Sequence, residues 1–131
     1  RQEGVSLLPY SPLAGGMLSG KYNNGALPAG ARFTDYIQGE ERQRNMAARF
    51  VNPLTEASTV RFAEIAEDIG ISPVTMAIAW SKQHDYVAST IVGATAADQV
   101  ADLLAAAEVT LSKETLARID AVSREIRYPM G

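Results

Sequence analysis

The sequence predicts an α/β protein with parallel strands, and three observations support this prediction. Two apolar runs suited to buried strands lie at residues 5–8 and 87–92, and the second run is rich in β-branched side chains. Helix-compatible sequence fills most of the distance between them, and a further helix is predicted after the second run. Because a long helical connection joins parallel strands, both loops that follow the strands should lie on one side of the sheet.

Local signals predict the helices between the two strands. Residues 40–51 are charged and compatible with a helix, and residues 55–69 place apolar side chains near one face at helical spacing. Gly70 is expected to end that helix. Ser72 can cap the next one, because its hydroxyl can accept a hydrogen bond from the first turn, and Pro73 suits the first helical position.

Two further helices are predicted after the second strand. Thr95 and Asp98 have the spacing of a capping box, with aspartate in place of the usual glutamate. The expected core positions of that helix are Val100, Leu103 and Leu104. A final helix is predicted to start near Ser112. Its buried stripe would consist of Leu116, Ile119 and Val122.

A glycine-rich loop at residues 10–22 directly follows the first apolar run. A loop of small residues lets backbone amides approach an anion, and Lys21 near its end adds a positive charge. This arrangement suits the phosphates of a dinucleotide and predicts binding of a nicotinamide cofactor. Residues 23–36 are expected to form an irregular excursion that could cover the ligand.

Composition limits the classes of function. The chain has 131 residues, 47% of them hydrophobic, a net charge of −3 and no cysteine, which suits one domain or part of one in a reducing cytoplasm. Neither a nucleic-acid partner nor a membrane partner is expected, since the sequence has no basic field and no long apolar run. No metal-ligand spacing or Ser/His/Asp arrangement is present.

The two predicted strands leave a sheet with unprotected edges. We therefore expect the chain to be cut from a longer protein and, when isolated, to expose unpaired backbone and apolar surface.

Motifs along nearly the whole chain resemble the carboxyl-terminal part of the aldo-keto reductase family. The first is Tyr-Ser-Pro-Leu-Ala-Gly-Gly at residues 10–16, followed by Gly-Lys-Tyr at residues 20–22. The second is Val-Gly-Ala-Thr at residues 92–95, with Gln99 after it. The resemblance is to the Tas-like and potassium-channel β-subunit-like branch.

This resemblance implies a fold. Residues 1–131 would be the carboxyl-terminal segment of a single (β/α)8 TIM barrel, an incomplete barrel that holds the seventh and eighth strands with their helices. The loops after those strands would form the phosphate-binding corner.

The resemblance also implies a set of cofactor-binding residues. Tyr10 would stack on the nicotinamide ring. The pyrophosphate would be lined by Ser11, Pro12, Leu13, Ala14 and Gly15. Lys21 and Arg32 would reach phosphate oxygens. The adenosine end would be held by Gly93, Ala94, Thr95, Gln99 and Asp102.

The family reduces aldehydes or ketones by hydride transfer from NADPH, with an aspartate, a tyrosine, a lysine and a histidine as catalytic residues. By resemblance these four precede the present chain, so we expect no catalytic residue in it and no activity of the chain alone. His84, the only histidine, is not assigned the catalytic role. Thr95 and Leu103 replace an arginine and an asparagine that are common in relatives, so the choice between NADPH and NADH stays open.

Two alternative functions remain open. The chain could serve a noncatalytic module that senses NADP(H) or mediates an interaction, as in channel β subunits. It could also be a natural half-barrel that forms a homo-oligomer through its exposed strand edges.

Overall fold

A computed structural model describes residues 3–130, and their regular structure is entirely helical. The α-helices are α1 (Arg32–Ile37), α2 (Glu41–Phe50), α3 (Pro53–Asp68), α4 (Pro73–Lys82), α5 (Val100–Ala105) and α6 (Lys113–Glu125). Short 3₁₀ turns occupy Ala14–Ser19, Asn23–Gly25 and Ala97–Gln99. Within the described range, no helix combines the length and the apolar character needed to cross a membrane.

The predicted α/β fold, with the seventh and eighth strands of a barrel, is wrong. Neither residues 5–8 nor residues 87–92 form a strand, and the two segments meet only at a single parallel bridge between Leu7 and Val87. The Leu7 amide donates to the Tyr86 carbonyl at 2.8 Å, and the Ala88 amide donates to the Leu7 carbonyl at 3.0 Å. A parallel pair without further neighbours leaves most of its backbone groups unpaired, so the ladder does not extend.

The two bridged segments also bury little of their apolar surface. Val5, Leu7 and Leu8 are 75%, 52% and 55% exposed, and Ile91 and Val92 are each 46% exposed. The expectation of exposed apolar surface is thus confirmed, although no sheet forms between the segments.

Most helix boundaries follow the signals in the sequence. The predicted helix at residues 40–51 is α2, and the predicted helix at residues 55–69 is α3. Gly70, with φ of 71°, lies just beyond α3 in the left-handed region that glycine tolerates. The Ser72 and Ser112 side chains accept hydrogen bonds from the third residues of α4 and α6. The predicted cap at Ser72 and the predicted helix start near Ser112 are thus confirmed.

The predicted capping box at Thr95 does not form. The Thr95 amide instead donates to the Gln99 side-chain oxygen at 3.1 Å, and the backbone continues into a 3₁₀ turn before the short helix α5. Val100 and Leu104 were expected in the core, but they are exposed. Since α5 has only six residues, it packs one side chain, Leu103, at least partly against the rest of the chain.

The expected irregular excursion at residues 23–36 is only partly correct, since helix α1 begins within it at Arg32. Alanine precedes this helix and offers no capping oxygen. The missing cap is supplied from a distance, by the hydroxyl of Tyr22, which accepts a hydrogen bond from the Phe33 amide at 3.1 Å.

Two apolar clusters form the interior. The first joins α3, α4 and α6, and its buried members are Phe62, Ile65, Ala66, Met76, Ala77, Ala79, Leu111, Ile119 and Val122. The second lies beneath the glycine-rich loop, and its buried members are Met17, Tyr22, Ala31, Phe33 and Ala47. Ile119 and Val122 are therefore buried as the sequence predicted, and Leu116 packs against the first cluster from a partly buried position.

A side-chain amide connects α4 to the segment before α6. The Gln83 nitrogen donates to the Leu111 carbonyl at 2.8 Å, and the Leu111 amide donates to the Gln83 oxygen at 2.7 Å. Lys82 adds a hydrogen bond from its ammonium group to the Ala107 carbonyl at 2.7 Å. Gln83 therefore satisfies both backbone groups of a residue that is buried.

Replacing Gln83 by alanine should lower the free energy of unfolding by about 1–3 kcal/mol, because both backbone groups of Leu111 lose their partner. Gln38→Ala is the matched control: Gln38 is exposed and its side chain makes no hydrogen bond within the described chain. Urea unfolding of both variants measures the difference. Equal losses of stability would show that the Gln83 amide contributes nothing specific.

Candidate functional site

The glycine-rich loop has five residues in the left-handed region, the last of which is Gly20. Four of them lie in its first half: Ser11, Ala14, Gly15 and Gly16 have φ of 57°, 50°, 67° and 102°. Two of these residues are not glycine, so the loop stores backbone strain, a feature that often accompanies functional sites.

Internal hydrogen bonds hold this loop in shape. The Ala14 amide donates to the Ser11 carbonyl at 2.9 Å, and the Gly15 amide donates to the Ser11 hydroxyl at 3.1 Å. The Gly16 amide donates to the Leu13 carbonyl at 2.9 Å. These three amides are occupied within the loop, so they are not free to bind an anion.

A cavity of about 580 Å³ lies between this loop, the segment around Arg32, helix α4 and residues 91–95. It is within the range of small-molecule sites. Eleven of the thirteen predicted cofactor-binding residues line it: Tyr10, Ser11, Pro12, Leu13, Gly15, Lys21, Arg32, Gly93, Ala94, Thr95 and Gln99. The structure thus brings together two loops that are far apart in the sequence.

The other two predicted residues lie outside the lining. Ala14 packs against the second apolar cluster, next to the cavity wall. Asp102 lies in α5, where its backbone carbonyl accepts a hydrogen bond from the Thr75 hydroxyl at 2.9 Å. That bond attaches α5 to the first turn of α4.

Sequence reasoning missed several lining residues. They are Gly16, Pro28, Ala29, Gly30, Ala31, Ile78, Ile91, Val92 and Leu103. Gly16 and Gly30 could have been found from their glycine-rich surroundings. Ile78 carries no such signal, because it reads as an ordinary core residue of α4, in which it is buried.

Two cations face the cavity without an ion-pair partner. Lys21 and Arg32 line it, and neither forms a salt bridge with another residue between positions 3 and 130. The Lys21 ammonium group lies 5.3 Å from the centre of the Tyr22 ring, within reach of a cation–π interaction. No aspartate or glutamate is among the described lining residues, so the cavity is locally positive in a chain of net charge −3.

An exposed aromatic ring stands at the same cavity. Tyr10 lines it and is 81% exposed. An open aromatic face can stack on a planar ring of a ligand. The cavity therefore offers an aromatic surface together with two unpaired positive charges.

Thr95 and Gln99 are joined to each other at the far wall of the cavity. Besides the bond from the Thr95 amide, the Gln99 nitrogen lies 3.4 Å from the Thr95 hydroxyl. This double contact closes the turn that follows Gly93 and Ala94. Gln99 thus shapes this wall as well as lining it.

His84 lies outside the cavity lining. Its ring stacks on Tyr86 at 5.1 Å and meets the edge of Trp80 at 5.0 Å, at the end of α4. The described part of the chain contains no group of three or more histidine, cysteine or acidic side chains that could hold a metal ion.

Gly15 lies against the Phe33 ring, and a Cβ atom added to it would lie 2.6 Å from the ring carbon Cζ. Gly15→Ala should therefore destabilise the fold more than Gly25→Ala, whose φ of 69° is similar but whose added Cβ meets nothing within 4 Å. Gly25→Ala should cost about 1–2 kcal/mol from backbone strain alone. Chemical unfolding measures the free energy of unfolding of both variants, and the difference between their losses is the cost of the clash with Phe33. Equal losses would mean that the Phe33 ring moves aside without a cost.

Comparison with known proteins identifies a family and several relatives that this chain resembles in sequence. Residues 1–124 match the sequence model of the Aldo/keto reductase family. The chain is 41% identical over 133 residues to Protein tas of Escherichia coli (strain K12), covering 97% of this chain and 34% of that protein.

Two further relatives carry other names. A probable voltage-gated potassium channel subunit beta of Oryza sativa subsp. japonica is 36% identical, covering 91% of this chain and 35% of that protein. L-glyceraldehyde 3-phosphate reductase of Escherichia coli (strain K12) is 31% identical, covering 92% of this chain and 34% of that protein. The chain thus spans about a third of the length of these relatives. The match over nearly all of its residues shows that the chain belongs to the aldo/keto reductase family.

Proposed function

We propose that this chain forms the NADP(H)-binding part of an oxidoreductase that reduces aldehydes or ketones. One observation carries the proposal: the cavity combines two unpaired cations with an exposed aromatic ring and has no acidic side chain among its described lining residues. A nicotinamide dinucleotide needs these features, because it joins planar rings through charged phosphates. Membership of the aldo/keto reductase family is consistent with this chemistry.

The proposed roles follow from where the side chains lie. Tyr10 offers a face for the nicotinamide ring, and Lys21 and Arg32 offer charged donors for phosphate oxygens. Gly93 and the Thr95–Gln99 pair form the wall proposed for the adenosine end. When bound, the dinucleotide would supply the hydride for carbonyl reduction.

The occupied amides of the glycine-rich loop influence the choice between the two cofactors. Because the loop amides of Gly15 and Gly16 donate internally, they are not available to phosphates, and the two cations gain weight in phosphate recognition. A ligand with the additional ribose phosphate of NADPH gains more from them than NADH does. We therefore propose NADPH as the preferred cofactor.

We further propose that the chemical step depends on residues outside this chain. The relatives are about three times as long as the matched segment, and one of them is named as a reductase of L-glyceraldehyde 3-phosphate. Neither His84 nor a metal-ligand cluster is found at the cavity among the described residues. The chain alone should then bind the cofactor without reducing a carbonyl.

Lys21→Ala and Arg32→Ala should each weaken NADPH binding about tenfold or more, because a charge-assisted hydrogen bond contributes about 1.5–3 kcal/mol. Titration calorimetry measures the loss, and Arg42→Ala, an exposed cation of α2 outside the cavity lining, should leave affinity unchanged. Lys21→Ala should weaken NADPH more than NADH if this ammonium group meets the additional phosphate. Unchanged NADPH affinity in both cavity variants would contradict the proposed site.

A second candidate function is a module that senses NADP(H) without multiple turnover. The relatives named as potassium channel β subunits favour it. A longer protein that contains this chain should, under our main proposal, oxidise many equivalents of NADPH when given a panel of aldehydes. Binding of NADPH with at most one equivalent oxidised would favour the sensing module instead.

A further inference from the structure

Helix α1 begins without a cap of its own, and a distant tyrosine supplies one. Ala31, at the N-cap position, makes no side-chain hydrogen bond. The hydroxyl of Tyr22 accepts a hydrogen bond from the Phe33 amide at 3.1 Å, eleven residues along the chain. Phe33 is the second residue of α1, whose amide an N-cap side chain ordinarily satisfies. Tyr22 and Phe33 are 2% and 1% exposed, so water does not replace this bond.

Phe33 fixes this part of the chain to the glycine-rich loop. Its ring lies directly over Gly15, where no side chain could fit. The same ring stacks on Phe50 of α2, with centroids 5.0 Å apart, and lies 5.6 Å from the Tyr22 ring. Phe33 therefore joins three parts of the structure at the edge of the cavity.

Each cation of the cavity is the immediate neighbour of one of these two aromatic residues. Lys21 precedes Tyr22, and Arg32 precedes Phe33. Both cations are exposed, whereas both aromatic residues are buried. The bond from the Phe33 amide to the Tyr22 hydroxyl thus connects the backbone next to Arg32 to the side chain of the residue next to Lys21.

We propose that Tyr22 and Phe33 are positioning residues that hold Lys21 and Arg32 together at the cavity and so set its affinity for a phosphate-bearing ligand. This inference rests on the proposed function. Neither residue lines the cavity. Their effect is preorganisation: if the two cations are already held in place, binding does not have to order them.

The wild-type chain gives the first test, without any ligand. The amide of a residue in the first turn of a helix normally exchanges readily with water. The Phe33 amide should instead be protected in hydrogen exchange followed by NMR, and clearly slower than the amide of Arg32. Equal exchange at the two positions would overturn the proposal.

The second test is Tyr22→Phe, which removes the hydroxyl and keeps the ring. It should speed exchange of the Phe33 amide and weaken NADPH binding on the order of fivefold, which corresponds to the net free energy of one typical hydrogen bond. Tyr36→Phe is the matched control: Tyr36 packs edge-on against Phe33, and its hydroxyl has no hydrogen-bond partner in the described chain. This control should change neither quantity.

The outcomes separate the two proposals. If the wild type binds NADPH and Tyr22→Phe binds it equally well while folded, the positioning role is overturned and the proposed function stands. If the wild type does not bind NADPH, the proposed function fails and the positioning role fails with it. If Tyr22 has a purely structural role, Tyr22→Phe should lower the temperature of the unfolding midpoint. At temperatures below that midpoint, NADPH affinity should then be unchanged.

Discussion

The contact between Phe33 and Gly15 is the constraint on which the site depends. A side chain at Gly15 would overlap the ring, since its Cβ would lie 2.6 Å from Cζ, and so the absence of a side chain allows the glycine-rich loop to approach helix α1 closely. The same ring belongs to the second apolar cluster, where it stacks on Phe50. Because apolar interiors are close-packed, a shift in that cluster would be transmitted to the cavity. The geometry of the site is therefore inseparable from the packing beneath it.

The electrostatics of the site are local and differ in sign from those of the chain. A net charge of −3 disfavours an acidic partner at long range, but charges farther away than about 8–10 Å are screened at physiological salt. Lys21 and Arg32 have no carboxylate partner in the described chain to offset them. Internal hydrogen bonds occupy the loop amides of Gly15 and Gly16, so the positive charge at the cavity comes from these two side chains and not from those amides.

The sequence predicts what depends on neighbouring residues and fails where distant ones decide. The caps at Ser72 and Ser112 and the stop at Gly70 could be predicted, because each acts within one turn of helix. The two predicted strands were wrong, because a strand needs partners that no local pattern supplies. The predicted capping box at Thr95 failed for a local reason: the side chain of Gln99, one residue beyond Asp98, accepts the hydrogen bond from the Thr95 amide.

The same distinction applies to the site. Eleven predicted residues meet at one cavity because two short motifs carry most of its lining. Their support could not be predicted: the bond from Phe33 to Tyr22 spans eleven residues, and Ile78 resembles any other buried helix position.

The two walls also differ in support. The wall that carries Lys21 and Arg32, the cationic wall, is attached to the core through Phe33. The wall that carries Ile91 is held by individual hydrogen bonds, such as the one from the Ile91 amide to the Pro9 carbonyl at 3.0 Å. Burying a large apolar side chain contributes about 1.5–3 kcal/mol, and this wall forgoes part of that gain because Ile91 and Val92 are each 46% exposed. A ligand would therefore be oriented by the cationic wall, while the opposite wall has the freedom to adapt to it.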